Sequence, residues 1–194
     1  SNYKLKKSSL IKFVGFTLLI FLFFTRGEVL GQDIVNDYRT TGNVTFAAAT
    51  NWERCSVAGS PGTWVAAAAA PTAAAANVIT IRNTHIATVG ANISLDQLVV
   101  ATGGELSVSA AITLTIANGA GTDLSVDGTV NNAGTITPTG AISFNANSTY
   151  NHIRNGGAIP TATWAANSNC NITGIVNTVI TSIAANPNFG NFTW

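Results

Sequence analysis

Charge is what this sequence has least of. Past residue 31 it contains no lysine, and its charged side chains are four arginines against seven acids, a net charge of 4 − 7 = −3. A chain without a basic patch has nothing to set against a phosphate backbone, so no nucleic-acid partner is expected. Histidine and cysteine are equally scarce, with two of each. His85 and His152 stand 67 residues apart. A metal centre needs several ligands at defined spacing, and none is visible, so no cofactor is expected and both imidazoles read as half-exposed strand or turn residues. Nor is there an apolar run long enough to span a bilayer. Phe13 to Phe24 is an uncharged run of twelve residues, where a spanning helix needs roughly 20.

That short run has another reading. Lys4, Lys6, Lys7 and Lys12 precede it and Val29-Leu30-Gly31 follows it. A basic region, a short apolar region and a small residue make a secretory signal peptide over residues 1–31, cut after Gly31, with no stable membrane insertion afterwards. In the oxidising compartment this implies, Cys55 and Cys170 could form a disulfide. They lie 115 residues apart with several structural units between them, so we expect them not to pair with each other. Pairing with cysteines outside this sequence stays open. The sequence begins at Ser1 and stops at "NFGNFTW", which leads us to expect a piece of a longer protein.

What is abundant is Thr, Asn, Ser, Ala and Gly, with β-branched residues alternating among them. That composition fits strands rather than helices or disorder. Residues 32–77 read as an irregular N-terminal cap with one strand near Asn43–Ala47 and an alanine-rich loop, "VAAAAAPTAAAAN", broken by Pro71. From Asn77 the text alternates apolar and polar with period two, as half-buried strands do. A longer period follows. "ELSVSA" (105–110), "DLSVDG" (123–128) and "AISFNA" (141–146) recur at eighteen residues, with a weaker step of six. The repeat predicts a single-stranded parallel β-helix over residues 78–194. Leu106, Leu124 and Ile142 would form one inward ladder and Val108, Val126 and Phe144 another, while Ser107, Ser125 and Ser143 face out. Asp127-Gly128 reads as a corner. A β-sandwich gives similar strand lengths but not a fixed period. The handedness rule for parallel crossovers favours a right-handed coil. Phe46, Trp52 and Trp64 supply the apolar bulk of the cap.

The segments "NVITIRNTHIATV", "LVVATGGELSV", "TYNHIRNGGAIPTATW" and "NSNCNITGI" resemble the N-terminal region of large secreted, adhesin-like β-helix proteins of Gram-negative bacteria. The resemblance covers about residues 43–194. It implies a cell-surface or secreted protein, an adhesin meeting glycans or a neighbouring cell, and it supplies no catalytic residues.

Three chemical readings remain. Glu105 and Asp123, one period apart, would stack as carboxylates that a calcium ion could bridge, but Ala141 holds the next rung and solvated turn acids are the plainer reading. Asp123 with Asp127 could serve glycoside cleavage, though Asp127-Gly128 is a turn signature. Trp164 and Tyr150, with Trp52, Trp64 and Trp194, could stack on sugar rings, although such side chains more often fill cores. Five Asn-x-Ser/Thr sequons, at Asn43, Asn92, Asn147, Asn171 and Asn191, carry little weight in text so rich in Asn and Thr. The expectation is a non-catalytic surface scaffold, with a carbohydrate-binding or polysaccharide-cleaving solenoid as the alternative.

Overall fold

The computed structural model describes residues 32–74, 76–183 and 189–194. The expected signal peptide lies outside them. Among the described residues there is no helix, and none is long and apolar enough to cross a membrane. The strands are mostly parallel and stack as a β-solenoid of about five coils.

Each coil visits three faces in turn. The first face carries Ile79–Ile81, Leu98–Val100, Leu124–Val126, Ile142–Phe144 and Thr163–Trp164. The second carries Ile86–Val89, Glu105–Val108, Thr129–Asn132, Thr149–His152 and Asn169–Ile172, with Val44–Thr45 before them and Asn191–Thr193 after them. The third carries Ile93–Leu95, Thr113–Ile116 and Thr135–Pro138. In the last two coils Gly157–Ala158 and Ile180–Ser182 pair separately. Period-two alternation explains the cross-section, because every second side chain points into a continuous apolar interior. Ile79, Leu98 and Leu124 stack on the first face, and Ala87, Leu106 and Val130 on the second, all fully buried.

The eighteen-residue period holds for one step only, with Leu124, Ser125 and Val126 in register with Ile142, Ser143 and Phe144. Leu106 does not lie beneath Leu124. It faces Val130 on the second face, while Leu124 faces Leu98 on the first. The repeated "LSV" text arises because a short strand on any face obeys the same in–out rule. Coil length is set by the corners and varies: 19 residues from Ile79 to Leu98, 26 from Leu98 to Leu124 and 18 from Leu124 to Ile142.

Residues 32–77 are more ordered than their turn-rich text suggests. Tyr38–Thr40 runs parallel to Ile79–Ile81 and antiparallel to Trp52–Val57, which pairs antiparallel with Thr63–Ala66. The first face therefore continues past the first coil as an antiparallel hairpin. Trp52 is buried against Phe46 at 5.3 Å between ring centres. Arg39 lies 4.0 Å from the Trp64 ring and 2.8 Å from Glu53. Of the alanine-rich stretch, Val65 and Ala66 belong to the strand Thr63–Ala66, while residues 67–74 and 76–77 lie in neither strand nor helix.

Gly128 lies at the corner between Leu124–Val126 and Thr129–Asn132. It does not adopt a positive φ. A side chain there would instead stand 2.3 Å from the Gly104 carbonyl of the preceding coil, so glycine is required by close backbone approach.

Candidate functional site

Outward side chains on the second face form two rows. One runs Thr88, Ser107, Asn131, Asn151, Asn171 and Thr193 in strict register. Asn151 Nδ2 donates to Asn131 Oδ1 at 2.8 Å, and Asn171 Nδ2 to Asn151 Oδ1 at 2.9 Å. The amides thus repeat, side chain by side chain, the hydrogen bonding of the backbone beneath them. The adjacent row contains Glu105, Thr129, Thr149, Asn169 and Asn191, and Asn191 Nδ2 donates to Asn169 Oδ1 at 3.0 Å. Among these residues only Glu105 is charged. The rows offer a partner neutral hydroxyls and amides at the strand spacing of about 4.8 Å.

Glu105 and Asp123 do not meet. Glu105 is half-buried on the second face, in register with Ile86 and Thr129. Asp123 is fully buried at the corner leading into the first face. The 26-residue coil breaks the stacking that a constant period of eighteen would give, so the proposed Glu105–Asp123 calcium pair is corrected. The acid beside Asp123 is Asp96, a residue that text alone did not single out because its corner precedes the repeat. Asp123 Oδ1 accepts from the Gly119 amide at 2.7 Å and Oδ2 from the Ala141 amide at 2.6 Å. Burial acts to raise the Asp123 carboxyl, but these amide donors outweigh it and the net shift is downward. Asp96 is raised, first by burial and then by its contact with Asp123. Asp127 accepts from Asn145 Nδ2 at 2.9 Å and serves the corner. Among the described residues no group of three or more His, Cys, Asp or Glu is placed to hold a metal.

Tyr150 and Trp164, the candidate sugar contacts, belong to the interior. Trp164 stacks on Phe144 at 4.2 Å with planes 10° apart, and Tyr150 meets both rings edge-on at 5.5 and 6.0 Å. Both side chains are buried, so neither ring face is open to a sugar. Their positions in the alternation point them inward. Trp52 is likewise buried and Trp64 is half-buried, while Trp194 is 67 % exposed.

His152 is fully buried rather than half-exposed, because it occupies an inward position beside Tyr150. Its Nε2 lies 2.8 Å from the Gly156 carbonyl, and only an N–H can make that bond. Nδ1 therefore accepts from the Tyr150 hydroxyl at 3.2 Å, and that oxygen accepts from Asn132 Nδ2 at 3.0 Å. Asn132 Oδ1 is left buried without a partner. Burial holds His152 below its ordinary pKa, with a smaller push in the same direction from Arg154. The chain of bonds is sealed from solvent and fixes a neutral imidazole inside the stack.

His85 Nδ1 lies 2.8 Å from Thr40 Oγ1, which accepts from the Arg82 amide at 2.9 Å. A hydroxyl beside an imidazole resembles an activated nucleophile, but Thr40 is fully buried and no substrate reaches it. Cys55 and Cys170 are both free and buried, not joined to each other. Burial pushes the Cys170 thiol up to about 12, which keeps it protonated and unreactive. Comparison of the chain with protein-family models, with curated proteins and with solved structures finds no match.

Proposed function

We propose that this chain is the β-solenoid part of a secreted or cell-surface, adhesin-like protein, a stalk or display scaffold that carries out no chemistry. The observation that carries the reading is the division of labour across each strand. Most inward residues join one continuous apolar stack, while the outward rows of the second face carry a single charge, Glu105, and are hydrogen-bonded from coil to coil along Asn131, Asn151 and Asn171. The outer surface can then present a ligand or partner without altering the fold. The resemblance to adhesin-like β-helix proteins points the same way. In this reading residues 32–77 form the cap. The hairpin covers the first face, and at Val44–Thr45 the flanking carbonyls of Asn43 and Thr45 are taken up by Asn51 Nδ2 and Trp52 Nε1, which blunts an edge that would otherwise recruit strands.

The partner in this reading is a glycan or a neighbouring cell surface, met by the neutral rows of the second face. Binding of the purified protein to a glycan array and to cell layers tests it. Retention that falls when Asn131, Asn151 and Asn171 are replaced by Asp, with the β-sheet circular dichroism unchanged, is the expected result. Release of reducing ends from a polysaccharide panel would instead establish a polysaccharide-cleaving enzyme and end the scaffold reading. Export is tested by fusing residues 1–31 to a reporter and fractionating the cells.

A further inference from the structure

Asparagine followed by glycine occurs twice past residue 31, at Asn118-Gly119 and Asn155-Gly156. In such a pair the backbone nitrogen after the asparagine can close on the side-chain carbonyl, because glycine sets no side chain against the ring. Both asparagines are exposed, so neither dipeptide nor exposure separates them. Their hydrogen bonds do.

Asn155 follows the second-face strand Thr149–His152 and reaches the turn of the next coil. Its Oδ1 accepts from three consecutive backbone amides, Val176 at 3.0 Å, Asn177 at 3.2 Å and Thr178 at 3.1 Å. Three N–H groups aimed at one oxygen form a nest that favours negative charge. An oxyanion developing on Oδ1 would meet donors already in place. Gly156 is buried at φ +67°, and a Cβ there would stand 2.6 Å from Thr178 Cγ2, so the turn itself calls for the glycine. Among the described residues no acceptor takes up the Gly156 N–H. Asn118 has the opposite arrangement. Among the described residues no donor meets its Oδ1, and the Gly119 N–H is held by Asp123 Oδ1 at 2.7 Å.

We propose that Asn155 is a site of self-catalysed deamidation in the folded protein, with the amides of Val176, Asn177 and Thr178 acting as its oxyanion hole. The Gly156 nitrogen gives its proton to a solvent base and attacks Asn155 Cγ. The N–Cγ bond forms and negative charge gathers on Oδ1 under the three amides. The Cγ–Nδ2 bond then breaks as Nδ2 takes a proton from solvent and leaves as ammonia. Water opens the resulting succinimide at either carbonyl, giving aspartate or isoaspartate. The net change is water consumed and ammonia released, with no oxidation. Either product loses the Nδ2 donor that ties Asn155 to Asn177 Oδ1 at 2.7 Å. Isoaspartate also adds a methylene to the backbone just before Gly157–Ala158, where pairing with Ile180–Ser182 begins. It displaces the Gly156 carbonyl that lies 2.8 Å from His152 Nε2. The reaction thus loosens the last two coils as the protein ages.

The purified protein, incubated folded in mildly alkaline buffer and then denatured and digested with trypsin at intervals, tests this. Cleavage after Arg154 puts Asn118 and Asn155 in different peptides. The mass gain from amide to acid is read in each by mass spectrometry, and a sample digested at the start corrects for conversion during handling. Asn155 is expected to convert about tenfold faster than Asn118, a modest part of the roughly 10²–10³-fold that one oxyanion-hole donor supplies in an enzyme, since this site is open to water. Incubated in denaturant, the two sites share a dipeptide and no fold, and their rates should converge. Val176→Pro removes the N–H nearest Oδ1 and should slow Asn155 alone. Equal rates at the two sites in the folded protein would overturn the proposal, as would an unchanged Asn155 rate in folded V176P. So would an Asn155 that reacts more slowly folded than unfolded, which would show that the three bonds lock the side chain. The comparison within the unmodified protein decides the matter even if V176P does not fold.

Discussion

Aromatic side chains that a surface reading would assign to ligand binding are here structural, and substitution separates the two roles. Trp164→Ala removes a ring stacked on Phe144 and met edge-on by Phe189 and should cost about 3–5 kcal/mol in denaturant unfolding, as other large-to-alanine core changes do; a stability loss below 1 kcal/mol with lost glycan retention would return Trp164 to the surface. His152 gives a pH signature. Its folded pKa is depressed, so above the ordinary histidine range it is neutral in both states and costs nothing. Below that range the unfolded chain takes up a proton that the folded chain resists, and stability falls. Thermal melts of the protein and of His152→Gln should therefore diverge as pH drops from 7 to 5, with the histidine protein losing ground; parallel profiles would show that His152 titrates as if exposed. Neither site was fully legible in the sequence. The inward position of Tyr150 follows from alternation. That its hydroxyl meets His152 and Asn132 does not, because it depends on which residues the coils bring into register.

At the scale of the strand, alternation alone was enough to read most elements after Asn77, and the outward placement of Ser125 and Ser143 follows from it. Coil length was the misreading. Glu105-Leu-Ser-Val belongs to the second face and Leu124-Ser-Val to the first, so like text marked like local geometry rather than vertical neighbours. The antiparallel hairpin in residues 38–66 was hidden for another reason: its strands are separated by Gly, Pro and Asn and carry Arg, Glu and Cys, so no clean alternation survives. Two substitutions test how strands are coupled. Asn151→Ala removes two rungs of the amide ladder and should cost about 1–2 kcal/mol, at the usual worth of an intramolecular hydrogen bond. Gly128→Ala drives a methyl into the Gly104 carbonyl and should cost more, about 1–3 kcal/mol, because backbone rather than a flexible side chain must move. Equal melting temperatures for G128A and the parent protein would mean that the coils separate easily.

Across the whole solenoid, a stack of coils is only as soluble as its ends, because an unpaired strand edge invites pairing with another chain. Deleting residues 32–66 uncovers the Ile79–Ile81 edge and buried Ile79 and Ile81. Light scattering should then show concentration-dependent association absent from the parent, and a monodisperse deletion would end the proposal that this segment caps the stack. Beyond residue 31 no ε-amine exists to be acylated or crosslinked, and both thiols are buried. Trypsin finds four arginines there. Arg39 is held by Glu53 and Trp64, Arg54 by Asn36, and Arg154 by Gly134 and Thr135. Among the described residues Arg82, exposed at a corner, is the arginine whose side chain no such contact holds, and the bond after it is the one trypsin is expected to cut first.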